Sequence, residues 1–527
     1  MKRIRFRTAL LAGTAIALLA AAAATAAVGL HGTAAQNGGT LVVGLTAGEP
    51  DALDPTTART FSGREVFLTF CQKLYDLNAK AQIVPQLASA LPTISKDKLT
   101  VTIPLRKGIK FNDGTTFDAT AVVTTLNRDL TLKGSTRASE LSPVASVAAS
   151  GGSKVVIHLK TAYSPLTAQL ADRSGMIMSP AQLTKLGSNF ASSPICVGPF
   201  MYSNRVAGDS ITVVKSPYYY DKKNVHLDKI VYKVENDTAA AAAALKAGDL
   251  QALDGIDSTQ LQGIKSDSSL GIIKQTSLGY QGLTLNIGNK NGLGKLPYQN
   301  VGTPLAANSD LRKAFEEAID RKTMNKVVFG GTVLPGCTPI SASSAWFDKS
   351  IKCTPYNPTD AKKLVAAAKV SNPTVRLMVP TGTAALRLAQ FLQAEEKAVG
   401  INLLIDSTDF VTSLSKADAG TYETFQIGWS GRVDPDGNIF SFVATAGSQN
   451  DSGYSNNRLD FVLNNARKAA TTKARTTLYH VAEQILLNDR PLIYLYYPVT
   501  RAGVEKKLTG VTMYPDTLLR VANAQLK

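Results

Sequence analysis

Histidine and cysteine are scarce: the 527 residues hold four of each. No two histidines stand at a spacing that holds a metal. His31 falls in the N-terminal leader, His158 in the alternating stretch "VVIHLK", His226 in a lysine-rich turn, and His480 on a helical face beside Tyr479 and Val481. Each reads as structural, so neither a metal nor a cofactor is expected. Catalytic signatures are missing as well. There is no G-x-S-x-G elbow ("GWSG" stops short of it), no H-E-x-x-H and no G-x-x-x-x-G-K-[ST] loop. No cluster of five or more lysines and arginines occurs. The net charge of +17 is therefore scattered, which argues against a nucleic-acid partner. These absences point to binding over chemistry.

The N-terminus is distinctive. "MKRIRFR" carries Lys2, Arg3, Arg5 and Arg7 with no acid, and "TALLAGTAIALLAAAAATAAVGL" follows as an apolar core. "HGTAAQNGG" then supplies small residues, with a cut expected after Ala35 and an alternative near Ala26. This is the pattern of an export leader, residues 1–35. The core is long enough that an uncleaved anchor is the competing reading. The first cysteine is Cys71, so a lipid anchor is not expected, and no second apolar run follows. The expectation is a free periplasmic monomer.

An exported chain can form disulfides. Cys71, Cys196, Cys337 and Cys353 permit three pairings. Cys337 and Cys353 flank the short loop "CTPISASSAWFDKSIKC" and are the local pair; Cys71 and Cys196 would then close a long one. Loop closure contributes ~3 kcal/mol for the short loop and ~4–5 kcal/mol for the long one.

Length implies two or more lobes, and 44% hydrophobic with 18% charged residues is a folded composition. "LTVTIPL" alternates at strand period, "KFNDGTTF" carries a hairpin turn signal, and "DATAVVTTLNRDL" starts a helix with Asp118 as cap. "LDKIVYKVEND" reads as a strand and "TAAAAAALKAGDL" as a helix stopped at Gly248. "SDLRKAFEEAIDRKTMNKVVFGG" reads as one capped amphipathic helix, "ALRLAQFLQAEEKAVGINLLIDS" as helix, Gly400 and strand. Near the C-terminus two helices precede the strand "PLIYLYYP". Strands and helices mix throughout, which is the α/β class.

One turn concentrates chemistry. "GWSGRVDPDG", Gly428 to Gly437, sets an aromatic, a cation and two acids on a glycine- and proline-rich loop.

Several segments, in order, resemble one family. "LTVTIPLRKGIKFNDGTTFDATAVVTTLNR" is similar to its signature stretch. "CVGPF" resembles its G-x-G-P-[FY] turn with Cys196 in place of the first glycine. "SPYYYDKKNVHLDKIVYKVENDTAAAAAALKAGDLQALDGI", "LNIGNK" with "DLRKAFEEAIDRKTM", and "DRPLIYLYYP" match later segments. The resemblance, from about Gly38 to the C-terminus, is to the family-5 extracellular solute-binding proteins of ABC importers, the dipeptide, oligopeptide and nickel-binding group.

That resemblance implies a two-lobed periplasmic-binding-protein fold, type II, of the large kind with an extra subdomain. The expected domains are a first lobe over 38–290, with the subdomain at about 86–195, a second lobe over 291–490, and a return to the first over 491–527. The implied function is capture of a peptide or a peptide-sized polar or anionic solute between the lobes, with delivery to the permease and ATPase subunits of an importer. It implies no enzymatic activity.

In peptide-binding relatives a W-x-x-D segment sets an aspartate against the peptide ammonium. Here Trp429 is kept, and Arg432 stands at the acid's place. A guanidinium there favours a carboxylate or phosphate. Alternatively Asp434 pairs with Arg432, or takes over the amine. Glu49, Thr60, Phe61, Tyr280 and Gln281 are the other candidate ligand contacts. Two further readings stand beside this one: a secreted hydrolase using carboxylates such as Asp434 and Asp436, and a metallophore or nickel-chelate receptor on the same fold.

Overall fold

The computed structural model describes residues 38–527; the leader and its cleavage point lie outside the described residues. No helix of that part is long and apolar enough to cross a membrane.

Three sheets organise the chain. The strand Thr40–Leu45 buries Leu41 and Val43 on one side, as its alternation requires. It pairs in parallel with Lys229–Val234 and with Ala252–Leu253. These lie inside a seven-stranded sheet running from Leu270–Thr276 at one edge to Phe200–Val206 at the other. A six-stranded sheet forms the second lobe, in the order Leu334–Pro335, Leu492–Tyr497, Tyr280–Leu285, Thr424–Trp429, Thr374–Pro380, Asn402–Thr408. A smaller four-stranded antiparallel sheet lies between Thr93 and Leu159 and packs under the helix Ala119–Thr131.

Local chemistry sets the helix ends. The Asp118 side chain accepts from the Ala121 amide at 3.1 Å, as its N-cap position predicts. Gly248 and Gly400 end their helices in the left-handed region, at φ 83° and 95°. The stretch from Ser309 is two helices rather than one. Ser309–Glu317 stops, and Asp320 caps Arg321–Phe329 by accepting from the Lys322 and Thr323 amides. An acid inside an amphipathic run competes with the helix and becomes a new start. "KFNDGTTF" makes its turn, but only an isolated bridge, Lys110 to Thr116, flanks it.

The lobe boundaries differ from the expected 290 and 491. Tyr280–Leu285 pairs with Thr424–Trp429 and with Leu492–Tyr497, so both Tyr280–Leu285 and Leu492–Tyr497 belong to the second sheet. The chain crosses between lobes at 277–279 and returns at Pro498. Pro498 lacks an N–H and separates Leu492–Tyr497 from Val499–Glu505, which lie in different sheets. The two crossings touch: the Ser277 amide donates to the Pro498 carbonyl at 2.9 Å.

Cys71 is bonded to Cys196 and Cys337 to Cys353, the long-loop pair and the local pair respectively. Cys71 and Cys196 are buried in the first-lobe core.

Candidate functional site

A cavity of about 650 Å³ opens between the two large sheets. The first lobe supplies Thr46 to Glu49, Arg59 to Phe61, Asp254 to Ile256 and Arg501. The second supplies Gln426 to Ser430, Tyr496 and the segments leading into two helices, Thr383–Val399 and Phe410–Ala419. Strand ends and helix starts thus meet at the crevice where the chain changes lobes.

Six of the residues singled out in the sequence line this cavity: Glu49, Thr60, Phe61, Tyr280, Gln281 and Trp429. Their chemistry is uneven. Tyr280 and Gln281 lie opposite Trp429 and Gly428 on the paired strand. Tyr280 meets Tyr494 edge to face at 4.8 Å and is buried. Trp429 donates from Nε1 to Asn438 Oδ1 at 3.2 Å and packs on Phe442. Glu49 is already engaged, accepting from Arg205 Nε at 2.8 Å and from the Gly208 amide at 3.0 Å. Thr60 is a cap: its Oγ1 accepts from the Gly63 amide at 3.2 Å and donates to Asp51 at 2.8 Å.

Arg432 and Asp434 do not line the cavity, and they do not pair with each other. Arg432 forms an ion pair through Nε with Asp172 and donates from Nη1 to the Gly431 carbonyl at 2.8 Å. Its guanidinium carbon lies 4.1 Å from the Trp429 ring centroid. Burial, with Arg64 beside it, pushes Arg432 well below its ordinary pKa; Asp172 opposes the shift. Asp172 is desolvated too, yet Arg432 and Arg64 hold its carboxyl well below the usual carboxylate range. Asp434 is held by Arg475 at 2.7 Å through both oxygens, and Asp436 by Arg467 at 2.6 and 2.9 Å. The turn therefore satisfies its charges with partners from Asp172, Arg467 and Arg475. None of those pairings is local in sequence, which is why the nearest acid, Asp434, looks like the partner from the sequence.

Sequence reasoning misses the ionic ties across the cavity. Arg59, on the first lobe, donates to Asp418 at 2.5 Å and to Asp451 at 3.0 Å, both on the second. Arg387, on the helix Thr383–Val399, reaches back to Asp257 of the first lobe at 2.8 and 3.0 Å. Two cavity-lining carboxyls lie outside the usual range. Burial pushes Asp254 up to about 6 against its bonds from Thr46, and pushes Asp451 up to about 6 against Arg59. Arg501 also lines the wall. No motif announces these residues; only the fold gathers them.

Residues 82–451 match the family described as bacterial extracellular solute-binding proteins, family 5 middle. Over 526 residues the chain is 28% identical to the glutathione-binding protein GsiB of Pectobacterium atrosepticum, covering 96% of this chain and 98% of that one. Among solved structures it is similar to the oligopeptide-binding protein AppA of Bacillus subtilis in complex with a nonapeptide, with TM-score 0.84 and 23% identity over 94% of this chain and 100% of that one. It is also similar to the binding protein AgaA of A. tumefaciens in complex with agropinic acid, with TM-score 0.81 and 26% identity over 93% and 99%.

Proposed function

The chain belongs to family 5 of the bacterial extracellular solute-binding proteins, and from that premise we propose that its interlobe cavity captures one peptide-sized polar solute from the periplasm. Proteins of this family hand their solute to the permease and ATPase subunits of an ABC importer. The observation that carries the reading is the cavity itself, walled by both lobes and set at the two adjacent crossings. A solute there touches both walls, so it binds the closed arrangement better than an open one, and that difference shifts the lobes toward closure. The ties from Arg59 and Arg387 act in the same direction.

Its volume suits a short peptide or a conjugate of similar size. A free peptide ammonium finds no carboxylate at Arg432, and Asp434 is committed to Arg475. The specificity of the peptide-binding relatives is therefore not carried over at that turn. A hydrolase using Asp434 and Asp436 is disfavoured for the same reason: both acids sit behind the cavity wall in arginine pairs. The protein binds and releases its solute unchanged. Export by the leader at residues 1–35 belongs to this proposal, as does a periplasmic location.

Native mass spectrometry of the exported protein, followed by denaturation, tests the reading. A single class of small polar molecule released in near-stoichiometric amount is the expected result. Conversion of that molecule on incubation with fresh protein, or lack of any binding solute, overturns it.

A further inference from the structure

Resting on that receptor reading, we infer that the solute carries a carboxylate, or an equivalent planar anion, and that Arg501 holds it. Two cations line the cavity among the described residues, Arg59 and Arg501. Arg59 is taken by Asp418 and Asp451. Among the described residues, Arg501 has no carboxylate partner.

What holds Arg501 in place is backbone. Nη1 donates to the Val499 carbonyl at 2.8 Å and Nη2 to the Thr332 carbonyl at 3.1 Å. Val499 belongs to the first sheet and Thr332 to the second lobe, so the guanidinium spans the hinge side of the cavity. These two bonds fix the plane of the fork and leave Nε and two further N–H donors uncommitted. Partial burial lowers its pKa, and no nearby acid raises it again. A half-buried guanidinium facing a cavity without a counter-charge is costly unless a ligand supplies one.

The carboxylates lining the cavity do not compete for it. Glu49 is engaged by Arg205, Asp409 caps the helix Phe410–Ala419 through the Thr412 amide, Asp451 is on Arg59, and Asp254 accepts from Thr46. The opposite wall adds donors. The helix Thr383–Val399 begins at Gly382 with no side-chain cap, and residues 381–385 line the cavity. A helix start at the cavity wall favours negative charge there. An anion bound by Arg501 from the first lobe and faced by this helix start from the second would reward closure. The anion preference that the sequence suggests at Arg432 thus rests on a different residue, one in a strand that carries no motif.

Paired probes test this. Ala-Ala, Ala-Ala-Ala and glutathione are each titrated calorimetrically as free acid and as C-terminal amide or ester, against the full exported protein. Arg501→Gln and Arg501→Lys variants are titrated alongside. The expected result is that at least one free acid binds about tenfold or more tightly than its neutral counterpart. Arg501→Gln brings that ratio close to one, and Arg501→Lys keeps part of it. An equal loss of acid and neutral probe in Arg501→Gln marks a hinge brace and overturns the inference, as does an unchanged ratio. If no probe binds, the solute carried by the purified protein decides. A carried solute without an anionic group overturns the inference and leaves the receptor reading standing. An anionic one retained by the wild type and lost from Arg501→Gln supports it. Neither a carried solute nor any binder overturns both.

Discussion

Gly279, in the first crossing between lobes, lies backbone to backbone against Gly431: a Cβ on Gly431 would stand 2.3 Å from the Gly279 amide nitrogen. Gly431 also sits at φ 80°, where a side chain is strained whatever the space. The pair fastens the turn after Trp429 to the hinge. Gly431→Ala is therefore expected to cost about 2–4 kcal/mol of stability, from a left-handed alanine plus a backbone clash. The second lobe would also shift on its crossing, so solute affinity falls as well. Thermal unfolding and calorimetry on the one variant check both; an unchanged melting temperature would show that the turn has room to move.

The Arg387–Asp257 pair joins the second lobe to the first. Removing either partner should weight the unliganded protein toward the open form. The pair is partly exposed, with side chains 26% and 6% accessible, so a contribution of about 0.5–1.5 kcal/mol is expected. Affinity then falls roughly two- to tenfold in Arg387→Gln and in Asp257→Asn. The double variant should be no worse than either single one, because the interaction is already gone. Small-angle scattering of the unliganded proteins should show an increased radius of gyration in all three. Additive losses would mean the residues act separately.

Much of the scaffold is legible in the amino-acid sequence. The strand "LTVTIPL", the Asp118 cap and the Gly248 and Gly400 stops depend on neighbours in sequence, and local rules suffice for those; the cysteine count alone leaves three pairings open. The lobe boundaries are not legible there. "YQGLTL" and "PLIYLYY" look like any other strand, and alternation cannot say which sheet a strand joins. The pocket divides in the same way. Trp429 and Tyr280 reach the candidate set because their segments resemble a family. Arg59 and Asp451 escape it because they are single charged residues whose partners lie hundreds of positions away, and Arg501 because it is a single charge in a strand that carries no motif. The Arg432 reading fails for a related reason: Asp172 is distant in sequence, and a nearer acid draws the pairing.

Arg432 should matter for stability and not for recognition. Arg432→Ala leaves Asp172 with Arg64 alone and removes a cation from the face of Trp429. Breaking a buried pair commonly costs about 3–5 kcal/mol, and the remaining Arg64 contact puts the expected loss at or below the lower end. The ratio of acid to neutral probe binding should be unchanged. Arg432→Asp, which restores the acid of peptide-binding relatives, sets a second carboxylate against Asp172 and is expected to fold worse than the alanine variant. A shift in probe preference without a loss of stability would put Arg432 back at the ligand.

Glu483 gives a dependence on pH with a definite sign. It is buried in the helix Thr472–Asp489, where burial pushes its carboxyl up to about 8, with Thr338 opposing and Asp348 adding to the rise. The folded state thus holds a proton that the unfolded chain gives up near 4.5. Its contribution to stability is full below that lower value, declines as pH rises between the two, and is gone above about 8. The slope is one proton, about 1.4 kcal/mol per pH unit. Asp129, raised by burial to about 8 as well, adds a second slope of the same sign. Urea unfolding of the wild type at pH 5.5 and 7.5 should therefore show lower stability at the higher pH from these two groups. Glu483→Gln, neutral throughout, should remove one proton's worth of that decline while leaving Asp129's in place. A slope unchanged by Glu483→Gln would mean that the Glu483 carboxyl titrates alike in the folded and unfolded chain.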